Sequence, residues 1–67
     1  MVIQNEHNIG DLVYLKTDPY QTQRLVTAIV IHMYGLVYEL SIGEETSYNE
    51  AFEISTKRNI ELLEENL

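Results

Sequence analysis

The sequence has no cysteine and no tryptophan, and only one proline and three glycines among its 67 residues. Without cysteine, neither a disulfide framework nor a thiolate metal site can form. Basic side chains are also scarce, since eleven Asp and Glu face four scattered cations, which are Lys16, Arg24, Lys57 and Arg58. Phosphate backbones are bound by clustered cations, so we expect no direct binding of nucleic acid. The net charge of −7 suits solubility or a basic partner.

Long apolar runs are absent as well. None approaches the ~20 residues of a membrane span, and residues 1–8 lack the basic region and apolar segment of a signal peptide. We therefore expect a cytoplasmic protein with no membrane partner. An apolar fraction of 45% predicts a folded chain. We expect one domain over residues 1–67, with its core in residues 9–54. Because so short a chain buries only ~60% of the surface it exposes when unfolded, its fold would gain from oligomerisation.

The clearest pattern is a predicted antiparallel hairpin. A β-branched run occupies residues 24–33, Tyr34-Gly35 forms a turn, and a second apolar run occupies residues 36–42. In the second run, alternation directs one set of side chains into the core: Leu36, Tyr38, Leu40 and Ile42. The first run is apolar on both faces, because Leu25, Thr27, Ile29, Ile31 and Met33 alternate with Val26, Ala28, Val30 and His32. Such a strand is covered either by a curling sheet or by another chain.

Shorter elements flank this hairpin. We predict a first strand over residues 12–17, which Asp18-Pro19 ends, and a loop over residues 18–23. Residues 43–46 form a second turn, and residues 48–50 are expected to bend or form one 3₁₀ turn. A closing strand over residues 51–54 would direct Phe52 and Ile54 inward. The fold class is therefore mainly β, a small curled antiparallel sheet of about five strands.

The C-terminal residues change to a helical period. Ser55-Thr56 offers an N-cap, and Ile60, Leu63 and Leu67 recur at helical spacing. We predict a short helix over about residues 56–66. Short isolated helices are marginal in water, so this helix either covers an open end of the sheet or docks on another chain.

Residues that carry chemistry do not form a recognisable motif. His7 and His32 would need Asp or Glu to complete a metal site, and solvated or hydrogen-bonded histidines are the simpler interpretation. The three serines at positions 41, 47 and 55 lack a nucleophile motif, and the isolated glycines form no phosphate loop. Eleven acids on a small β protein are explained by solubility and by protection of sheet edges. We predict no enzyme activity, no cofactor and no metal.

Aromatic side chains offer a candidate binding surface. Tyr20, Tyr34 and Tyr48 lie in or beside predicted turns and, if they converge, would hold a peptide or a cation. Individually exposed tyrosines are common, which is the simpler interpretation. With the apolar positions of the C-terminal helix, the predicted partner-binding residues are Tyr20, Tyr34, Tyr48, Ile60, Leu63 and Leu67.

The segment Ile9-Gly10-Asp11-Leu12-Val13-Tyr14 opens a predicted curled sheet, and the order of elements over residues 9–54 resembles small SH3-like barrels such as Tudor and KOW modules. That resemblance implies a barrel of about five strands. The same opening, with Asp18-Pro19 downstream, also looks like MazF-type toxins, which are RNA-cleaving barrels. Here, however, Arg24-Leu25 stands where those toxins have Arg-Pro. Residues 14–19 and 24–27 are also similar to small uncharacterised proteins of bacterial phages and mobile elements.

Three functional hypotheses follow. The first is a non-catalytic interaction module that binds a protein partner or itself, with a possible origin in a phage or mobile element implied by the last resemblance. The second is an acidic inhibitor or nucleic-acid mimic directed at the basic groove of a nuclease or DNA-binding protein. It requires one surface that presents Glu39, Glu44, Glu45, Glu50 and Glu53. The third, and weakest, is a small RNA-processing enzyme.

Overall fold

The structure, a computed structural model, describes residues 6–33 and 35–65. Its strands are β1 (Leu12–Leu15), β2 (Arg24–His32), β3 (Gly35–Ile42), β4 (Glu45–Glu50) and β5 (Ile54–Ser55). A 3₁₀ helix, Ala51–Glu53, joins β4 to β5, and the α-helix α1 covers Ile60–Glu65. The predicted mainly β fold of about five strands with a short C-terminal helix is confirmed.

All five strands belong to one antiparallel sheet with the order β4-β3-β2-β1-β5. The strands at its two edges are consecutive in the chain, and only the three residues of the 3₁₀ helix join them. In a flat sheet these edges would lie ~19 Å apart, whereas a 3₁₀ helix of three residues advances only ~6 Å. The sheet therefore curls strongly. Since β4 and β5 do not pair with each other, it is an unclosed, curled sheet and not a closed barrel.

The core lies on the concave face of this sheet. Its buried hydrophobic residues are Val13, Val26, Tyr38, Leu40 and Ile54. Leu15, Ile29, Leu36 and Ala51 pack against them and are partly buried. The inward set predicted for β3 is confirmed at Tyr38, Leu40 and Leu36. In β1, where alternation left the inward face open, Val13 and Leu15 face the core while Leu12 is exposed.

A β-bulge at Thr27 changes the alternation in β2. Val26 pairs with Leu40, but the next pair is Ala28 with Glu39, so Thr27 is one extra residue on its strand. An extra residue shifts every later side chain to the other face. The predicted set that grouped Val26 with Ala28 and Val30 is therefore wrong, because Val26 and Ile29 both face the core.

The segment after β3 also differs from the prediction. Residues 48–50 belong to strand β4, and the 3₁₀ turn follows them at Ala51–Glu53. A capping box fixes this turn, since the Glu53 side chain accepts a hydrogen bond from the Glu50 amide at 3.1 Å. The predicted inward position of Ile54 is confirmed, but that of Phe52 is wrong. A single 3₁₀ turn directs Ala51 to the core and leaves Phe52 exposed.

The C-terminal helix begins later than the sequence predicts. Ser55 does not cap it, because its hydroxyl accepts a hydrogen bond from the Lys57 amide at 3.1 Å in a local turn. Asn59 takes that role, since its side-chain oxygen accepts the Leu62 amide at 3.2 Å. The helix is therefore α1, Ile60–Glu65, and not a helix from residue 56. In the described residues, no helix is long and apolar enough to cross a membrane.

Candidate interaction surfaces

The β2–β3 hairpin extends beyond the rest of the sheet. Strand β1 pairs with β2 only at Arg24 and Leu25, and the Gly10-Asp11 segment then bonds to both the N–H and the carbonyl of Val26. On the other side, the pairing of β4 with β3 ends at Val37. Residues 30–33 thus lie past the last pairing of β2 with β1, and residues 35 and 36 lie past the last pairing of β3 with β4. We call this segment the hairpin arm.

The overall dimensions agree with a projecting arm. The radius of gyration is 12.6 Å, and the molecule measures 45 × 24 × 17 Å along its principal axes. A compact chain of this length has a radius of gyration of roughly 11 Å. The molecule is thus longer than a compact domain.

The arm exposes apolar side chains on both of its faces. Val30 pairs with Val37 on the convex face and is 41% exposed, while Ile31 pairs with Leu36 on the concave face and is 62% exposed. Met33, close to the turn, is 85% exposed. The sequence predicted that β2 is covered on both faces, but within the described residues only the concave face of its first half is buried. Leu25, on the convex face there, is 40% exposed. These arm residues were missed as candidate binding residues, although the doubly apolar run in the sequence was their signal.

A polar cluster separates the arm from the base on the convex face. Glu39 lies at its centre, where one carboxylate oxygen accepts the Thr27 hydroxyl at 2.6 Å and the other accepts the Tyr48 hydroxyl at 2.8 Å. The Thr27 and Ser41 hydroxyls are 3.0 Å apart. These contacts join β2, β3 and β4 across the sheet and occupy the Thr27 bulge.

The electrostatics of this cluster suit a structural role. The Thr27 and Tyr48 hydroxyls donate to the Glu39 carboxylate, which lowers its pKa. The same hydrogen bond, with the nearby negative charge, raises the pKa of Tyr48. A carboxylate with a lowered pKa and both oxygens occupied is a weak proton acceptor. The arrangement therefore stabilises cross-strand pairing and is poorly suited to general base catalysis.

The loop between β1 and β2 is held by Asp18. Its carboxylate accepts the amides of Tyr20 at 2.9 Å and Thr22 at 3.0 Å, and it lies 3.5 Å from the Arg24 guanidinium. Burial alone would raise the pKa of Asp18, but these hydrogen bonds and the Arg24 charge together lower it. The loop is therefore ordered by charge-assisted contacts. Tyr20 projects from it with its side chain exposed.

Gln21 connects this loop to the C-terminal residues. Its side chain is buried, donates to the carbonyls of Leu15 and Asp18, and accepts the Asn59 amide, each at 2.8 Å. The backbone of Gln21 adopts a left-handed conformation with φ of 46°. Nothing in the sequence marked this residue, because a single glutamine in a polar loop resembles solvated loop residues. Its role is to fix the start of α1 against the end of β1.

The predicted tyrosine patch is divided by the sheet. Tyr48 lies on the convex face of β4, whereas Tyr20 lies in the loop that follows β1. Strands β2 and β3 stand between β4 and β1 in the sheet. Tyr34 falls outside the described residues. Tyr20 and Tyr48 thus extend from different parts of the sheet, and the binding role of the three tyrosines stays a prediction.

The predicted apolar positions of the helix are only partly available. Ile60 is 64% exposed, and Leu63 is half-buried on the same short helix. Leu67 lies outside the described residues. Beside them, Arg58 stacks over the Tyr14 ring with its guanidinium carbon 5.2 Å from the ring centroid. Docking of another chain on this helix stays a prediction.

The acids required for nucleic-acid mimicry do not share one face. Glu39 and Glu50 lie on the convex face, because paired residues share a face and their partners, Tyr48 and Val37, lie on it. Glu45 pairs with Ile42 and lies on the concave face, and Glu44 lies in the turn. Residues 25–56, which include all five glutamates, contain no Lys or Arg.

The two histidines lie apart from each other. His7 is buried and packs edge-on against the Tyr38 ring, with 5.2 Å between ring centroids, and the Glu6 amide donates to the Tyr38 hydroxyl at 3.0 Å. His32 lies at the far end of β2 in the arm. In the described part of the chain, no three His, Asp or Glu side chains are placed to hold a metal ion.

Comparisons of this chain with protein-family models, with curated proteins and with solved structures found no match. The resemblances to SH3-like modules, to MazF-type toxins and to phage proteins therefore receive no support from relatives.

Proposed function

We propose that this protein is a non-catalytic interaction module that self-associates through the hairpin arm. The observation that carries the proposal is the exposure of Val30, Ile31 and Met33 on a segment that neither neighbouring strand covers. The occupant of this surface is a second copy of the chain.

The size of the core supports self-association. Among the residues that the structure describes, five hydrophobic residues are buried, whereas ten large hydrophobic residues are exposed. A single core in a chain below about 70 residues rarely supplies more than about 3–5 kcal/mol, and oligomerisation is one usual remedy. Covering Ile31 and Met33 against a second arm would add the apolar burial that the monomer lacks.

Charge also favours a second copy at this position. The chain carries a net charge of −7, so most contacts between two copies would bring acids together. Residues 30–36 contain no Asp, Glu, Lys or Arg. Two arms can therefore meet without direct repulsion between like charges.

The finer assignment to the SH3-like class belongs to the same proposal. Its support is the connection between the two edge strands, β4 and β5. They are joined by a 3₁₀ helix of only three residues, which requires a strongly curled sheet. An origin in a phage or mobile element remains part of the proposal, on the likeness of residues 14–19 and 24–27 alone.

Sedimentation velocity over a range of protein concentrations tests self-association. We expect the wild type to form dimers and Ile31→Glu to shift the dissociation constant upward by roughly tenfold or more, because it places a charge in an apolar contact. Ile60→Glu is a matched control, since Ile60 and Ile31 are 64% and 62% exposed. Both variants remove the same side chain and add the same charge.

If both variants weaken self-association equally, the arm is not the specific interface. The loss would then come from α1 or from general charge repulsion. A wild type that remains monomeric at all concentrations would overturn the proposal. Circular dichroism of each variant confirms that the sheet is intact before association is measured.

A further inference from the structure

Strand β4 is an open edge of the sheet. Within residues 6–33 and 35–65 it pairs with β3 only, through Glu45 to Glu50. A two-residue turn, Gly43-Glu44, precedes it, with Gly43 at φ of 55°. In such a hairpin the residues flanking the turn exchange hydrogen bonds, and pairs alternate from there. Glu45, Ser47 and Asn49 therefore bond to β3, while Thr46, Tyr48 and Glu50 direct their backbone groups to the free edge.

The free edge has a defined extent. The Glu50 amide is already occupied, because Glu53 accepts it at 3.1 Å. That contact agrees with the alternation, since a Glu50 amide bonded to β3 would not be available to Glu53. Thr46 and Tyr48 are left, and within the described residues no backbone group meets their N–H and carbonyl groups at this edge. One further strand would pair with both.

Charge decides which strand fits. Four glutamates flank this edge, Glu44, Glu45, Glu50 and Glu53, and residues 25–56 contain no Lys or Arg. The β4 strand of a second copy would bring the same acids face to face, so the acids protect this edge against self-pairing. They do not protect it against a strand of opposite charge.

The other sheet edge differs in length and in charge. Strand β5 has only two residues, and Lys57 and Arg58 follow it closely. A basic segment at β5 would be repelled by these cations, and it would find only two residues whose backbone it could pair with. The two edges are therefore not equivalent for such a ligand.

We infer that β4 binds an extended, basic segment of a protein partner, which adds to the sheet as a sixth strand beside Thr46 and Tyr48. Backbone pairing supplies the register, and the glutamates select Lys or Arg side chains on the added strand. The exposed Tyr48 ring lies within reach of a cationic side chain on the convex face.

A labelled octapeptide of alternating arginine and threonine is the probe, and fluorescence anisotropy measures its binding. We expect micromolar binding that weakens as salt rises, because exposed charges are screened. The same peptide with N-methylated alternate amides keeps every charge but loses donors along one edge. We expect methylation on the pairing edge to weaken binding roughly tenfold or more.

Two kinds of protein variant complete the test. Thr46→Pro removes the amide at the free edge, where proline is tolerated in an edge strand, and we expect a loss comparable to that of methylation. Glu44→Gln with Glu45→Gln should weaken binding several-fold at low salt. Glu61→Gln with Glu64→Gln in α1 removes the same two charges elsewhere and should change binding little.

Equal binding of the methylated and unmethylated peptides would overturn the inference, since it would mean diffuse attraction by net charge. Loss of self-association in Thr46→Pro would also overturn it, by assigning the edge to a second copy. Ile31→Glu should leave peptide binding intact, so failure at this edge and failure at the hairpin arm are distinguishable.

Discussion

The two ends of the β2–β3 hairpin both have hydrophobic side chains on the concave face but differ in their surroundings. At the base, β1 and the Gly10-Asp11 segment cover one side of β2, and Val26 is fully buried. Further along the same strand and on the same concave face, Ile31 lies past the last pairing of β2 with β1 and is 62% exposed. On the concave face of β2, burial therefore falls where the neighbouring strands end, although the side chains there stay hydrophobic.

Polar contacts reinforce this difference. The base is held by Asp18 and Gln21, whose side chains bond to the backbone of the β1–β2 loop, the end of β1 and the start of α1. Toward the arm, the Glu39 cluster is the last side-chain network described before the exposed residues. Side-chain hydrogen bonds therefore hold the base together, whereas the arm exposes Val30, Ile31 and Met33.

The largest expected effect is a difference in the free energy of unfolding between alanine variants of two valines in β2. Val26→Ala removes two buried methyl groups and leaves a cavity, so we expect the free energy of unfolding to fall by about 2 kcal/mol. Val30→Ala should cost less than about 0.5 kcal/mol in the dilute monomer, because its side chain is already partly in water. Urea unfolding at low protein concentration measures both. Equal losses would mean that the arm is packed as tightly as the base.

A smaller effect tests the polar contacts of the base. The pKa of Asp18 is lowered in the folded state from an ordinary value of 3.8, so its contribution is present above that pH and is lost as the pH falls below it. We expect Asp18→Asn to lower the free energy of unfolding by about 1 kcal/mol at pH 6. The difference from the wild type should shrink toward pH 3.

The control for this prediction is Glu61→Gln, which removes one negative charge from the exposed helix. It should show no comparable difference at pH 6. If Asp18→Asn and the wild type differ by the same amount at pH 6 and pH 3, the carboxylate charge is not what orders the loop.

Much of the fold was predictable because β2 and β3 have strong β-branched patterns and a turn between them. Alternation also identified Tyr38 and Leu40 as core residues, and both are fully buried. The bulge at Thr27 was not predictable, because the extra residue is stabilised by Glu39 and Ser41 on a neighbouring strand. Phe52 was misplaced for a similar reason, since the capping contact between Glu50 and Glu53 produces a turn where a strand was expected.

The candidate surfaces were harder to predict than the fold. The sequence favoured tyrosines and the helix, because aromatic and helical patterns are visible locally. The exposure of Ile31 and Met33 depends on how far β1 and β4 extend along the hairpin, which is a property of the assembled sheet. The open edge at Thr46 and Tyr48 depends likewise on strand order.

Amide hydrogen exchange at Val26 and Val30, measured at several protein concentrations, tests directly whether self-association covers the hairpin arm. The Val26 amide donates to the Asp11 carbonyl at 2.9 Å in the base, while Val30 pairs with Val37 beside the arm. At high dilution we predict weaker protection at Val30 than at Val26. Protection at Val30 should then approach that at Val26 as the concentration rises and the arm is covered. Equal protection of the two amides at every concentration would contradict the account.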